Sequence, residues 1–500
     1  MSNHLFLPIL TLLLGSTLAT ILGRWRRVAR GIVLLAISAN FLYSSWLGNL
    51  IFVSKERQFV RVGTLIAPYG ISFIADELSA TMLFMTTFLT LLVVIFSFLT
   101  SIITEQIEDF FFYPLVLLIL LGATGVFLTG DLFNLYVWFE VLLVSSFGLL
   151  TLGRKQIQLE GGLKFVELNL IGSALLLVGC GLIYGLVGTL NIGQITQRFQ
   201  NLNSGLLTVL ATLFLVAFSI KAAIFPTYFW LPASYHTPPS VVTALFAGIL
   251  TKVGMYVFYR VFSLIFYINL VDKLTILLLI LACLTMIVGI IGAIAQVSLR
   301  RILSFHIICQ TGYILSGLGL ANEAGLAAGL FFMLHTMLVK TALLVIGGIA
   351  EASFGTDELK KMGGLAAREP LLATFWFLAM LSLAGFPPFS GFIGKLVLLK
   401  ATLSAKQYLV AGVMAGVSLG TLFSLLKIWN EVFWKTLPKD EPEPAPIKPY
   451  TLIPAAILVG SSLLLGLGAS VVLASNTLAA KQALDSIGYL STVLPDSPKK

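Results

Sequence analysis

A chain of 500 residues in which 58% are hydrophobic and only 11% are charged has the composition of an integral membrane protein. Soluble domains carry about 25% charged residues, so this composition excludes a soluble globular protein. The formal net charge of +9 lies mostly in short loops, and it therefore indicates orientation in the membrane rather than binding to nucleic acid.

Runs of about 20 apolar residues, each long enough to cross a hydrocarbon core of about 30 Å, follow one another along the chain. We predict an all-α polytopic membrane protein with about fourteen transmembrane helices. The first run has its arginines after it rather than before it, which favours a retained span over a cleaved signal peptide. The predicted spans are 4–22, 31–52, 78–103, 110–129, 132–152, 163–188, 205–225 with a broken extension to 235, 239–262, 273–297, 301–320, 325–350, 370–403 broken near Pro387, 407–434 and 451–474.

Lysine and arginine residues are distributed unevenly between the two sets of predicted loops. With the N-terminus outside, the inside loops hold fifteen of them and the outside loops hold seven, of which Arg260 is one. Basic residues favour cytoplasmic loops, so we predict that both termini lie outside.

The stretch from Ala217 to Tyr259 combines membrane-helix sequence with lysines and prolines. Lys221 and Lys252 each lie in an otherwise apolar run, and several prolines interrupt the chain between them. A lysine at the bilayer centre costs about 2.5 to 3.5 kcal/mol on insertion scales. A broken helix also frees carbonyl groups that lipid cannot satisfy. We therefore predict a broken helix that lines an ion or proton path.

A second stretch, from Leu383 to Ala401, repeats these features with paired prolines, several glycines and Lys395. In the first half 31 residues separate Lys221 from Lys252, and in the second 32 separate Lys395 from Lys427. Matching broken helices in two halves indicate a transport site built from repeats. The alternative is coincidence in a helix bundle that tolerates proline.

Glu140 lies in the middle of a predicted span, nine residues after Asp131. At about 100° per residue the two carboxylates point to opposite faces of the helix. Asp131 begins the run and is predicted to be its N-cap. We predict that Glu140 works with Lys221, the alternative being a static buried pair. Pairing favours the charged forms of both groups, so a change in their separation would act as a switch.

The second half of the chain adds titratable residues. His335 and Lys340 diverge by about 140° around one helix and cannot face the same neighbour. We predict that His335 belongs to a proton relay, with a packing histidine as the alternative. Lys427 lies four residues before Glu431 and is able to pair with it on one helix face. Weaker candidates for the relay are Lys340, His306, His236 and Lys427. His306 is expected to be shallow, because it lies only six residues into its span.

The three cysteines stand singly, without a CxxC motif or a Cys/His cluster. Iron–sulfur, zinc and disulfide sites therefore lack ligands, and no dense cage of oxygen ligands for a metal cation is visible. We predict no cofactor, no metal site and no soluble catalytic domain.

Four motifs in this order resemble a known family: LTGDLFNLYVWFE, IKAAIFPTYFWLPASYHTPPSVVTALFAGILTKVGMY, FFMLHTMLVKTALL and LAGFPPFSGFIGKL. They are similar to the antiporter-like membrane subunits shared by Mrp-type cation/proton antiporters and respiratory complex I. The GDLFN sequence and the lysine at position 395 look most like the D subunits of Mrp antiporters.

This resemblance implies two inverted five-helix repeats, spans 4 to 8 and spans 9 to 13. It implies Glu140 and Lys221 as a coupled pair, Lys252 and His335 as central relay groups and Lys395 as the terminal exchange residue. The implied division is helices 1–3 in residues 1–109, repeats in 110–262 and 273–434, a proline-rich charged loop in 435–450, and the last helix and tail in 451–500.

The resemblance also implies a place in a hetero-oligomer with other membrane subunits, within the lipid bilayer of the cell membrane. There, proton flow along the buried residues would drive export of Na+ or K+, which is the work of a secondary transporter. The alternative is a proton-pumping subunit of a complex I-like NAD(P)H or ferredoxin:quinone oxidoreductase or a membrane-bound hydrogenase. A passive scaffold is a third possibility, but it would leave six buried ionisable groups unexplained.

Overall fold

A computed structural model describes residues 3–63, 67–100, 109–200 and 202–494 of the chain. Helices dominate these residues because a helix satisfies its backbone polar groups internally, as a lipid environment requires. In chain order the helices are α1 Leu7–Ile21, α2 Arg26–Ser54, α3 Glu77–Leu99, α4 Asp109–Leu128, α5 Leu132–Thr151, α6 Gln156–Val187, α7 Ile192–Phe199, α8 Ser204–Ala222, α9 Trp230–Ser234, α10 Ser240–Val261, α11 Tyr267–Ala295, α12 Leu299–Gly319, α13 Glu323–Phe354, α14 Leu365–Arg368, α15 Pro370–Ala384, α16 Ser390–Ser404, α17 Tyr408–Ile428, α18 Ile453–Leu467, α19 Ala469–Leu484 and α20 Ser486–Val493.

Within the described residues, thirteen helical segments are long and apolar enough to cross a membrane. The predicted span 370–403 consists instead of two helices, α15 and α16, with a break between Gly385 and Phe389. The predicted all-α membrane fold and the predicted break near Pro387 are therefore confirmed. Two short strands that we did not predict, β1 Gln58–Arg61 and β2 Ser72–Ala75, pair antiparallel between α2 and α3.

Helices α10 and α13 form the centre of the bundle and are buried along their apolar lengths, whereas α1 and α2 are largely exposed. Helix α12 is almost as deeply buried. A helix that is apolar on every side is expected in such a position. The ionisable residues on these central helices therefore face protein rather than lipid.

The first broken helix runs from α8 through a turn into α9. Ala223 has a left-handed backbone (φ 57°), which ends α8 directly after Lys221. The indole of Trp230 donates a hydrogen bond of 2.9 Å to the carbonyl of Ile220, and the Phe225 N–H donates to Thr285. Side chains thus satisfy backbone groups that the break exposes, as membrane burial demands.

At the second break, Gly385 ends α15 with a φ of 95° that only glycine adopts readily. Gly391 then brings α16 against α15. A Cβ atom added there would lie 1.7 Å from the carbonyl oxygen of Ser382 and 2.8 Å from the His335 ring. Glycine is therefore required at this crossing.

Two further predictions concern single elements. Asp131 accepts a hydrogen bond of 2.9 Å from the Asn134 N–H, which confirms it as the N-cap of α5. The proline-rich loop has no regular structure, as expected, but it is not simply solvated. Its Ala445 N–H donates to the carbonyl of Ser353 at the end of α13.

Candidate functional site

Lys221 lies at the end of α8 in a small polar site between helices. Its ammonium group donates to the carbonyl of Asn169 at 3.0 Å and to the hydroxyl of Ser173 at 2.7 Å. It also lies 5.5 Å from the centre of the Phe139 ring, a favourable position for a cation. A cavity beside it has room for about one water molecule.

Glu140 follows Phe139 on α5 and therefore points about 100° away from the ring that faces Lys221. The carboxylate is half-buried, and its Oε1 atom has no hydrogen-bond partner among the described residues. It is close enough to Lys221 for an electrostatic interaction, yet Lys221 bonds to α6 instead. The structure thus holds the predicted pair near each other but not in direct contact.

Lys252 occupies the centre of α10 and is only 1% exposed. Its ammonium group turns back along the helix and donates to the carbonyl of Ala247 at 2.6 Å. Helix α10 passes close to α8, because a Cβ added at Gly254 would lie 3.0 Å from the carbonyl carbon of Lys221. Lys221 and Lys252 therefore stand on helices in direct contact.

His335 on α13 meets the second broken helix. Its Nδ1 atom hydrogen-bonds to the hydroxyl of Ser390, the first residue of α16, at 2.9 Å. The Ser390 hydroxyl also hydrogen-bonds to the hydroxyl of Ser462 at 2.9 Å. Lys395, five residues further along α16, donates to the carbonyl of Ala384 at 2.8 Å and lies 5.8 Å from the centre of the Tyr313 ring. His335 and Lys395 therefore both lie beside the second break.

Several buried polar atoms in this half have no hydrogen-bond partner among the described residues: Lys340 Nζ, His335 Nε2, His306 Nδ1 and both amide atoms of Gln310. Buried polar groups almost always have a partner, which is often an ordered water molecule. Lys340 interacts electrostatically with both Lys252 and Lys395. The unpartnered atoms therefore mark a polar interior between the two broken helices.

Gln310 was not among our predicted residues. It lies four residues after His306 on α12, hence on the same helix face, and it is 1% exposed. The sequence does carry a signal for Gln310, which is an uncharged amide in an apolar run. Our predictions missed it because they considered ionisable residues alone.

His306 and His236 differ in their surroundings. We expected His306 to be shallow, but it is fully buried and bonds to the hydroxyl of Ser424 at 2.8 Å. His236, in the turn before α10, contacts the carbonyl of Pro232 at 2.9 Å and accepts from Arg301 at 3.2 Å. Burial and Arg301 lower the pKa of His236 to about 4. These contacts favour a structural role for His236 in the turn.

The predicted pair of Lys427 and Glu431 is wrong. Lys427 donates to the carbonyls of Ile294 and Gln296 at 3.1 and 2.6 Å, and so it caps the end of α11. Glu431 pairs with Lys435 at 3.1 Å instead. A cation at the C-terminal end of a helix interacts favourably with the helix dipole. This geometry favours a structural role for Lys427.

Asp76 and Arg260 form a fully buried ion pair that we did not predict from the sequence. Both terminal nitrogens of the Arg260 guanidinium donate to the Asp76 carboxylate, with Nη2 at 2.6 Å from Oδ1. The guanidinium also donates to the Tyr256 hydroxyl. Burial opposes ionisation of Asp76, but Arg260 and the Ser79 N–H outweigh it and hold the pKa at about 2. We had assigned Arg260 to an outside loop, because it lies at the end of a predicted span.

The known proteins that are similar to this chain agree on one family. Residues 129–423 match the family described as NADH:quinone oxidoreductase/Mrp antiporter, TM. The chain is 38% identical to the D subunit of the Na(+)/H(+) antiporter of Alkalihalophilus pseudofirmus, over 99% of this chain and 100% of that protein. It is also 38% identical to the D subunit of the Na(+)/H(+) antiporter of Bacillus subtilis, over the same shares.

Among solved structures, a chain of the Mrp complex from Dietzia sp. has a TM-score of 0.90 to this chain with 31% identity. The alignment covers 99% of this chain and 100% of that chain. The resemblance drawn from the four sequence motifs is confirmed. The chain therefore belongs to the family of membrane subunits that NADH:quinone oxidoreductases and Mrp antiporters share.

Proposed function

We propose that this chain is the proton-translocating subunit of a multisubunit Na+ or K+/proton antiporter of the cell membrane. The observation that carries the proposal is a continuous set of helix contacts between buried lysines. Helix α8 with Lys221 touches α10 with Lys252, α10 touches α13 with Lys340, and α13 touches α16 with Lys395. Buried ionisable residues in membrane spans usually serve ion or proton movement.

In this proposal each lysine passes a proton to the next through intervening water. Lys221 stands at the first break beside Glu140, so a shift of Glu140 toward it would stabilise its charged form. His335 and Lys340 continue the path at the centre, and Lys395 exchanges the proton at the second break. Lys427 and His236 have structural contacts and stand outside this path.

Further parts of the proposal rest on the sequence and on the relatives. Residues 110–262 and 273–434 form two inverted repeats, each with a broken helix and a lysine beside the break. Lys221 precedes its break, whereas Lys395 follows its own. Other membrane subunits surround the chain in the lipid bilayer, as the name Mrp complex of the Dietzia structure suggests. Both termini lie outside.

The test measures cation-driven pH change in everted membrane vesicles that contain the complete antiporter. Lys221→Ala and Glu140→Ala should each abolish the pH change while the complex still assembles. Lys164→Ala provides the matched control, since Lys164 is an exposed lysine on α6. Retained transport in both Lys221→Ala and Glu140→Ala would refute the coupled pair.

A further inference from the structure

A cavity of about 470 Å³ opens at the end of the bundle where the predicted inside loops lie. We call it the inner cavity, and its wall includes Ser240 at the start of α10, Gly348, Glu351 and Ser353 on α13, and Ala445 and Lys448 of the proline-rich loop. Its volume is sufficient for several water molecules, which occupy about 30 Å³ each in the liquid.

Glu351 is the carboxylate in the wall of the inner cavity. One oxygen forms an ion pair of 3.0 Å with Arg300, while the other is buried and has no hydrogen-bond partner among the described residues. Other charged groups that interact electrostatically with Glu351 are Asp357, which lies 3.9 Å from Arg300, and Lys155. Lys448 lines the cavity as well. Glu351 thus keeps an acceptor oxygen that none of the described residues uses.

The contact between α10 and α13 joins the wall of the inner cavity to the depth of the central lysines. These helices touch where Ser240 meets Gly348, since a Cβ added at Gly348 would lie 2.3 Å from the Ser240 hydroxyl. They touch again where Gly248 meets Thr341. Eight residues separate the two contacts on α10, about 12 Å along a helix.

The second contact lies at about the same depth in the bundle as the Lys252 ammonium group and the backbone of Lys340. Lys340 adjoins Thr341 on α13, and the Lys252 ammonium group turns back to the carbonyl of Ala247. About 12 Å, the rise of eight helical residues, therefore separates Ser240 in the wall of the inner cavity from this second contact, beside which the Lys252 ammonium group and the backbone of Lys340 lie. Three or four water molecules in a row would span this distance.

We propose that Glu351 collects protons for this path and that the inner cavity is the route by which they reach Lys252 and Lys340. This inference rests on the proposed function. The Glu351 carboxylate accepts a proton from hydronium, which leaves water, and then transfers that proton to water in the cavity. The proton finally binds a neutral lysine amine, which becomes an ammonium group and restores the charge balance.

The experiment compares variants of the complete antiporter in everted vesicles, where the predicted inside face meets the medium. Glu351→Gln should lower the initial rate of cation-driven proton movement by about tenfold at alkaline pH, somewhat less than the usual loss when a proton-transfer group is removed. The loss should shrink toward neutral pH, because hydronium then reaches the cavity unaided. Glu351→Asp should restore the rate and the pH profile.

The control is Glu443→Gln, an exposed glutamate on the same face that pairs with Arg368. It should leave the rate unchanged at every pH. A second approach places a cysteine in the wall with Ala352→Cys and labels it with a bulky methanethiosulfonate. The natural cysteines of this chain are buried, so within this chain the reagent should act at position 352, and it should slow proton movement by a similar factor relative to labelled antiporter that lacks the Ala352→Cys change.

A wild-type rate and pH profile for Glu351→Gln would overturn the inference, and so would full activity after complete labelling at position 352. Should Glu351→Gln fail to assemble, the labelling result decides the matter alone. Lys221→Ala and Glu140→Ala are measured in parallel, because normal transport in both variants would instead refute the coupled pair on which the proposed function relies. The two failures are therefore distinguishable.

Discussion

Replacement of Lys340 by methionine should stabilise the protein while it impairs transport. The Lys340 ammonium is fully buried and has no hydrogen-bond partner among the described residues. A buried donor without a protein partner costs about 1 to 3 kcal/mol. Methionine fills similar space without a polar group. We therefore expect the free energy of unfolding to rise by about 1 to 3 kcal/mol.

Lys427→Met is the matched comparison and should have the opposite effect on stability. Lys427 holds two carbonyls at the end of α11, and its loss leaves them without this donor. Hydrogen bonds to charged groups contribute about 1.5 to 3 kcal/mol each when buried, and partial exposure of Lys427 reduces this value. We expect a net destabilisation of about 1 to 2 kcal/mol.

The assay is thermal unfolding of the purified complex, together with cation-driven proton movement in vesicles. Lys340→Met should raise the melting temperature and lower the transport rate, whereas Lys427→Met should lower the melting temperature. A residue retained for function at a cost in stability shows this combination. A lower melting temperature for Lys340→Met would show that the lysine stabilises the bundle and would refute the reasoning.

Three further predictions test other parts of the structure. Gly391→Ala should destabilise the protein by at least about 1 to 3 kcal/mol from overpacking and should disturb the contact of His335, both visible as a lower melting temperature and a slower transport rate. Lys395→Glu should retain partial transport in vesicles, because a titratable group remains at the second break. Asp76 has a depressed pKa of about 2, so its stabilising contribution is complete above the ordinary value and disappears as pH falls toward 2. In Asp76→Asn, the melting temperature should lose that dependence.

The broken helices were predictable from the sequence because prolines and lysines within apolar runs are costly in lipid unless they line a polar interior. The N-cap at Asp131 was predictable for a similar reason, since a carboxylate directly before an apolar run has a specific structural use. The number of spans also followed from hydropathy, except that the second broken helix divides into two short helices.

The sequence did not predict contacts that depend on the packing of distant segments. Asp76 and Arg260 are 184 residues apart, and each lies at the edge of a predicted span where charged residues are ordinary. Lys427 has the same spacing to Glu431 as a helical pair, yet the end of α11 offers two nearer carbonyls. Gln310 carries no charge, and only its complete burial shows that it belongs to the polar interior.

The most direct measurement of the central claim uses Lys252→Met in purified antiporter reconstituted into liposomes with a pH-sensitive dye inside. An imposed Na+ or K+ gradient should produce no proton movement in this variant, although the complex assembles with all its subunits. A proton flux equal to that of the unaltered antiporter would contradict the account, since Lys252 stands between Lys221 and the second half of the path.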